Sequence, residues 1–478
     1  MKKLLALLLA LLILAAVALC MIGAKVSEEK DRVTVTEQAL YGDPAAAAGA
    51  TVTQTAHLDS HLLWNTVYPV GGKASSEYGF SMRELTFERN VSHHGIRLYD
   101  HIRYGYDLKK PLEECTGLER AYRELYDATA PGTKGTKTVR LQDLYDYYPI
   151  RMDIDLPGTL WHGIDYEDLA EDDFINQRTV WDKFSEFFRI PIPDSLSPIE
   201  ISVTKSESGQ EIGIGSHAAV KDGEHYSLYT NAAYTADACY FTINNRVGDG
   251  YVDTSLIPGG YGIYRFRYTD VRDETNTSGT ATIFHPGFQT GVDADSLTTV
   301  YPLEERVQVQ SMEVDPTGTK LLLVTEDGTG LYLLVLDLAT MTEQHRFRLS
   351  DGGFASLNHQ EDFVIAFHGV SFSLFSLDGQ GVYTHVLTAD QPSATDESFA
   401  HINTFAAMDF DGERLIMADV LPESQYRTME TCNFCLAVYD SDGLQYYGEY
   451  LSSLATHPDT SHYSYNCIPQ KLTVSWDG

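Results

Sequence analysis

The chain has 478 residues, 43% hydrophobic, 11% aromatic and 21% charged, which is the composition of a globular protein with a large core and not of a disordered chain. Its 34 Lys and Arg stand against 68 Asp and Glu, a formal net charge of -34, which argues against nucleic acid and anionic headgroups as partners of the surface and leaves cationic or neutral ligands. Thirty tyrosines, 20 phenylalanines and 37 glycines favour many strands and turns over a helical bundle.

Lys2 and Lys3 precede an uncharged run from Leu4 to Ala24, about twenty residues and long enough to cross a bilayer as a helix. Glu28, Glu29 and Asp31 follow. Basic before and mainly acidic after, these flanks place the N-terminus in the cytoplasm and the body outside. Residues 1–24 are therefore expected to be a signal or anchor segment, and the protein to sit on the extracytoplasmic side of the cell membrane, or to be secreted if the segment is cleaved. Val17-Ala18-Leu19-Cys20 resembles a bacterial lipobox, although Leu19 stands where that motif takes a small residue. Residues 25–50, with the low-complexity Ala45 to Ala50, read as a tether.

Thr51 to Thr55, Leu62 to Val70 and Tyr78 to Phe87 read as strands. Near 111–130 the pattern turns helical, with Leu112, Leu118, Tyr122 and Leu125 at helical spacing and Pro131-Gly132 as a stop, so a helical insertion on a loop is predicted. Asp165 to Asp173 is a dense acidic run read as a solvated loop, because no glycine-centred calcium loop is present. Gln177 to Phe188 reads as a second short helix.

From Pro198 strands follow one another. Ile199 to Thr204, Ser227 to Asn231, Cys239 to Asn244, Gly262 to Thr269 and Leu297 to Leu303 lead into the best-formed unit, Val307 to Leu349, with four short strands and tight turns. Asp315-Pro316-Thr317-Gly318 is the first of those turns. The two middle strands are apolar on both faces, and the last alternates as an amphipathic edge. Further copies occupy 362–387 and 404–451, turning at Asp378-Gly379, Asp411-Gly412 and Asp440-Ser441-Asp442-Gly443, and their outer strands end at intervals scattered around about forty to fifty residues. This pattern resembles the bacterial class of β-propeller repeats related to WD40 and YVTN-type proteins, without the signature of any specific family. The resemblance implies an all-β fold, a β-propeller of about six to seven four-stranded blades with short helical insertions in the N-terminal half and an N-terminal hydrophobic helix. Residues 51–478 would form the propeller domain. Its ring would be closed by pairing of the C-terminal strand 471–475 with the N-terminal strands.

In such blades the second-to-third and blade-to-blade connections share one face, and there the long excursions concentrate. That face is expected to carry function. Its candidate ligand-binding residues are Arg246, Asp249, Glu423, Tyr426, Arg427, His457, His462 and Tyr463, with Asn245, Asp459 and Tyr465 nearby, a mixture of aromatic planes, guanidinium and carboxylate that suits a carbohydrate or peptide.

Little else carries chemistry. His93, His94 and His101 with Asp100 are the densest histidine group, but adjacent strand histidines point to opposite faces, so no metal is assigned. Cys432-Asn433-Phe434-Cys435 enters a strand instead of opening a helix, and reads as a structural pair that could involve Cys467. Asp409, Asp411, Asp440 and Asp442 read as hairpin-turn residues. No nucleophile elbow, Walker loop or dinucleotide fingerprint occurs, and no cofactor is expected. The reading is a membrane-tethered extracytoplasmic β-propeller that binds a carbohydrate or protein and no nucleic acid. A surface glycan hydrolase or lyase and a scaffold subunit of an envelope complex are the alternatives.

Overall fold

Apolar runs of six or seven residues without helical period fold as strands buried on both faces, and such strands are stable only when sheets stack on them from either side. The computed structural model describes residues 2–30, 32–57, 62–80, 95–100, 111–148, 150–155, 183–194, 197–218, 230–243, 245–247, 250–271, 289–421, 432–454 and 470–476. The chain forms two compact units, Met1–Val91 with Phe354–Gly478, and Ser92–Gly353.

Within the Ser92–Gly353 unit, Gln308–Val314, Lys320–Glu326, Leu331–Asp337 and Thr342–Ser350 pair in chain order as an antiparallel meander. The middle strands are buried almost throughout, whereas Thr342–Ser350 is largely exposed. The Asp315 carboxylate accepts from the amides of Thr319 (3.0 Å) and Lys320 (2.9 Å), and Gly318 takes φ +69° to close the turn. A second meander comprises Thr230–Tyr234, Ala238–Ile243, Gly262–Val271 and Gln289–Pro302. Lys134–Arg140, Pro198–Lys205 and Glu211–Ala218 make a three-stranded sheet, and Gly95–Asp100 pairs with Ile150–Asp155. The predicted insertion is a short 3-10 turn, Leu112–Glu114, followed by the helix Gly117–Ala128. The helix is no mere loop ornament: Leu118, Ala121, Tyr122 and Leu125 are buried in the same core as Ile199, Ile201 and Val203. A helical turn at 183–187 is what the structure describes of the second expected helix, and it feeds Phe184 and Phe188 into an aromatic cluster with Phe241, Tyr264 and Phe266.

Within the other unit, Ala355–His359, Phe363–His368, Ser371–Leu377 and Tyr383–Asp390 form one meander. Ala407–Phe410, Leu415–Val420, Phe434–Asp440 and Gly443–Ser452 form the next. The 407–452 sheet is the middle layer. Met417, Cys435, Ala437 and Tyr439 pack with Phe363, Ile365 and Leu374, while Ile416, Ala418, Leu436 and Val438 pack with Val52, Tyr68 and Val474. Such stacked four-stranded meanders are propeller blades, and the chain is an all-β protein of the β-propeller class.

Residues 25–50 are not a tether. The N-terminal helix runs Lys2–Lys30, and Val35–Gly42 pairs antiparallel with Gly443–Ser452 as a fifth strand of that sheet. Asp43 caps a 3-10 turn over Pro44–Ala47, with its carboxylate accepting from Ala45 N at 2.9 Å, and Ala47 and Ala50 are buried. Among the described residues no helix is long and apolar enough to cross a membrane; of the side chains of Lys2–Lys30, those of residues 11–25, 27, 28 and 30 are described.

The third sheet of this unit joins both ends of the chain. Gln470–Trp476 pairs antiparallel along Ala50–His57, which pairs in turn with Leu62–Pro69, and Ser75–Phe80 completes the sheet. Trp476 is clamped to the neighbouring blade: its backbone N–H donates to Asp409 Oδ2 (2.6 Å), its indole Nε1 donates to Arg414 O (3.2 Å), and the Arg414 guanidinium lies 3.9 Å from the ring centroid. Trp476→Ala should therefore lower the urea midpoint by a loss of about 2 kcal/mol for a half-buried indole and its contacts. Deleting 470–478 should cost more, because it opens the Ala50–His57 edge; an unchanged midpoint in either variant would refute the clamp.

In the 355–390 sheet a polar chain runs from the buried His368 and Ser373 to the exposed Thr388 and His385. His368 Nε2 lies 3.0 Å from Ser373 Oγ, which lies 2.8 Å from Thr388 Oγ1, and His385 Nε2 reaches the same Thr388 hydroxyl at 2.9 Å. Burial, outweighing the attraction of Asp390, holds His368 below its ordinary value of 6.5. Its stabilising contribution is complete above that value and is lost as pH falls through the lowered one. Urea titrations from about pH 7 to about pH 5 should show a shallower decline in His368→Asn than in the parent, and parallel declines would contradict this origin.

Candidate functional site

The excursion between the second and third strands of the 230–302 sheet is built and not slack. It leaves the fully buried Ala238–Ile243, forms a two-residue ladder of Arg246–Val247 with Gly250–Tyr251, and turns where Ile257 N donates to Thr254 O (3.0 Å) and Gly260 N to Ile257 O (2.8 Å). Val252, Ile257 and Tyr261 are pegs in the core. Gly259 and Gly260 take φ +80° and +72°; a Cβ on Gly259 would lie 2.7 Å from Thr299 Cβ, so the chain passes here only without a side chain.

The connection to the next sheet forms the opposite wall. Leu303 N donates to Tyr261 O (2.9 Å), Val307 N to Glu304 O (2.9 Å), and the buried Asn245 donates its side-chain amide to Glu305 O. Between the two walls lies a shallow cleft of about 600 Å³, lined by Tyr251, Thr254, Ser255, Gly259, Gly260 and Tyr261 on one side and by residues 302–306 on the other.

Tyr251, one of the lining residues, is 47% exposed. Arg306 Nε pairs with Glu304 Oε2 at 2.9 Å, so guanidinium and carboxylate stand together as one polar, nearly neutral group. At the base, burial pushes the Tyr261 phenol up to about 12 against the opposing Thr242 hydrogen bond, which keeps it protonated. Behind the turn, the hydroxyl and amide of Ser255 hold the Asp253 carboxyl below the usual carboxylate range.

Of the candidates read from the sequence, Arg246 lies in this excursion, its backbone in register with Tyr251. Asp249, Glu423, Tyr426, Arg427, His457, His462 and Tyr463, together with Asp459 and Tyr465, lie outside the described residues, as do His93, His94 and His101. Among the described residues no group of three or more His, Cys, Asp or Glu is arranged to hold a metal. Sequence reasoning marked the excursion but missed Tyr251, Ser255 and 304–306. The Gly259-Gly260 pair and the Glu304-Glu305-Arg306 run between two strands were the available signals.

The cysteine reading needs correcting. Cys432 and Cys435 are buried, free thiols, not a bonded pair, and burial pushes each up to about 12, which suppresses the thiolate that redox or metal chemistry requires. The aspartates at the hairpins serve their turns: Asp411 Oδ1 accepts from Glu413 N (2.9 Å) and Arg414 N (2.7 Å), and Asp440 Oδ1 from Asp442 N (2.8 Å).

No family model matches the chain, and no curated protein matches it. Solved structures are similar over part of it. Kluyveromyces lactis Hsv2 with loop 6CD replaced by a Gly-Ser linker is 8% identical over 45% of this chain and 50% of that one, with a TM-score of 0.22. The β-propeller domain of Myceliophteria thermophila Cps50 (Swd1) is 8% identical over 55% and 88%, TM-score 0.24, and Pseudomonas aeruginosa periplasmic gluconolactonase PpgL is 13% identical over 52% and 63%, TM-score 0.23. The chain thus spans half the length of that Hsv2 structure. At TM-scores of this size the β-propeller class rests on the strand pairings themselves, and the chain is joined to no specific family.

Proposed function

We propose that the chain is a membrane-tethered, extracytoplasmic β-propeller that acts as a binding module, taking a neutral carbohydrate ligand in the cleft between 251–261 and 302–306. The observation that carries the reading is the cleft itself, two walls fixed by backbone hydrogen bonds and core pegs with an exposed tyrosine and a paired guanidinium and carboxylate between them. A ring face stacks on the apolar side of a sugar, and fixed planar polar groups hydrogen-bond its hydroxyls. A preorganised cleft loses little entropy when it is occupied.

The tether rests on the N-terminal helix. Leu11, Leu12, Ile13, Leu14, Val17 and Leu19 are each at least half exposed, so apolar side chains stand on all sides of the helix without a protein core to receive them. A bilayer is the solvent that suits such a helix, and the lysines before it with carboxylates after it set the body outside.

On a glycan array the intact protein should give a selective signal that Tyr251→Ala combined with Arg306→Ala reduces at least about tenfold, the loss expected for removing a central aromatic anchor. A silent array, or a signal the double variant retains, would overturn the cleft assignment. Independently, the full-length chain should sediment with membranes and a chain lacking residues 1–24 should not; full-length protein in the soluble fraction would overturn the tether.

A further inference from the structure

We propose that one end of the 355–390 sheet is a docking surface for a second protein, engaging a segment that carries lysine or arginine beside an aromatic or large aliphatic side chain. Three exposed apolar residues mark it. Phe354 is 68%, Val370 58% and Phe405 92% exposed.

The strand register gathers them at one end. Ala355 pairs with His368, the turn at Gly369 and Val370 follows, and Ser371 pairs with Asp390, so Phe354 and Val370 both stand at that edge. Phe405 joins them through its neighbour: Thr404 accepts the Asn358 side-chain amide on its carbonyl, and its hydroxyl lies 3.0 Å from Ser356 Oγ. Phe405 is not on a slack loop. Ala406 N donates to Asn403 O (3.0 Å), Phe405 N to Asn403 Oδ1 (3.2 Å) and Asn403 N to Asp419 Oδ2 (2.7 Å), a turn that holds the ring out in solvent. A fixed aromatic that the protein's own core does not take up is suited to insert into a partner.

Charge decides what kind of partner. From Phe354 to Glu413 the sequence has no lysine or arginine and nine aspartates and glutamates, three of which, Asp390, Asp396 and Glu397, lie exposed in the chain that leaves this end of the sheet. A second copy would bring the same carboxylates face to face, and an anionic membrane would be repelled, whereas a cationic segment gains from every one of them. The backbone N–H of Gln391 donates to Val370 O at 2.8 Å and the residue is 2% exposed, so the chain leaving the sheet is fixed against the Gly369-Val370 turn.

The test pans a phage-displayed random dodecapeptide library on the full chain and measures a selected peptide by fluorescence anisotropy. Enriched peptides should combine Lys or Arg with an aromatic or large aliphatic residue, their affinity should fall with added salt, and Phe354→Ser with Phe405→Ser should weaken binding about tenfold or more while leaving the thermal midpoint unchanged. Acidic or neutral peptides, or cationic ones whose affinity the double variant leaves intact, would overturn the proposal. So would sedimentation of the chain as a dimer that the double variant dissolves, which would assign the surface to a second copy.

Discussion

The pairing of Gln470–Trp476 with Ala50–His57 is the contact on which the Met1–Val91 and Phe354–Gly478 unit depends. Ala50–His57 is an inner strand of its sheet only because the last described strand covers one of its edges, and without it a row of backbone donors and acceptors would face water. The contact spans nearly the whole chain; Thr473 and Thr53, which meet in it, are 420 residues apart. Closing so long a loop is entropically expensive, so side chains must reinforce the ladder. Val474 packs with Val52, Ile416 and Leu436, and Trp476 is fixed to Asp409 and Arg414. Arg414 also donates to Ala46 O and pairs with Asp411, which ties the start of the chain, the end of the chain and a hairpin turn to one guanidinium.

The fifth strand does similar work at the outer edge of the 407–452 sheet. That sheet buries Tyr439, Tyr446, Tyr447 and Tyr450, and a buried phenol needs a partner. Tyr446 donates to Glu37 Oε1 at 2.8 Å and lies 2.9 Å from the Tyr450 hydroxyl, while the Tyr450 ring stacks on Phe434 at 4.9 Å. Gly448 leaves the room, since a Cβ there would lie 2.1 Å from Tyr446 Oη. Glu37 can reach Tyr446 only because Val35–Gly42 is paired along this edge. Burial keeps these phenols protonated, so the network remains a set of donors and acceptors across the physiological range.

Those two contacts show where sequence reading succeeds and where it stops. The Lys320–Glu326 and Leu331–Asp337 strands were legible because six or seven apolar residues between two turn signals admit almost no other structure. The helix Gly117–Ala128 was legible from its spacing, but its burial was not, because an insertion and a core element can share one periodicity. Ala355–His359 escaped because Ser356, Asn358 and His359 interrupt its apolar pattern; Asn358 is there to bond the neighbouring blade at Thr404. Val35–Gly42 was read as tether since Thr36, Glu37 and Gln38 look solvated, and only pairing with a strand four hundred residues away makes it part of a sheet. In the cleft, Asn245 to Tyr261 announced itself by length. The facing 302–306 wall did not, being as short as any connection and distinguished only by what it faces.

The acidity of the chain has a structural root that composition alone could not reveal. A fold of many tight hairpins needs acceptors for turn amides, and aspartate supplies one at several of these turns with a short side chain. Thr329 and its amide hold Asp327 below the usual carboxylate range, the amide and hydroxyl of Thr340 do so for Asp337, and those of Ser398 for Asp396. At Asp411 burial opposes ionisation, yet the amides of Arg414 and Glu413 prevail. Each lowered group favours the folded state above the ordinary carboxylate value and loses that contribution in acid, so part of the negative charge stabilises the blades that carry it. Self-repulsion limits how far this can go, and the chain relieves it unevenly. Arg306, Arg346 and Arg348 each pair with a carboxylate of the 302–351 region, whereas residues 354–413 have no lysine or arginine. The contrast in charge between the two regions follows from where arginine was placed among their turns.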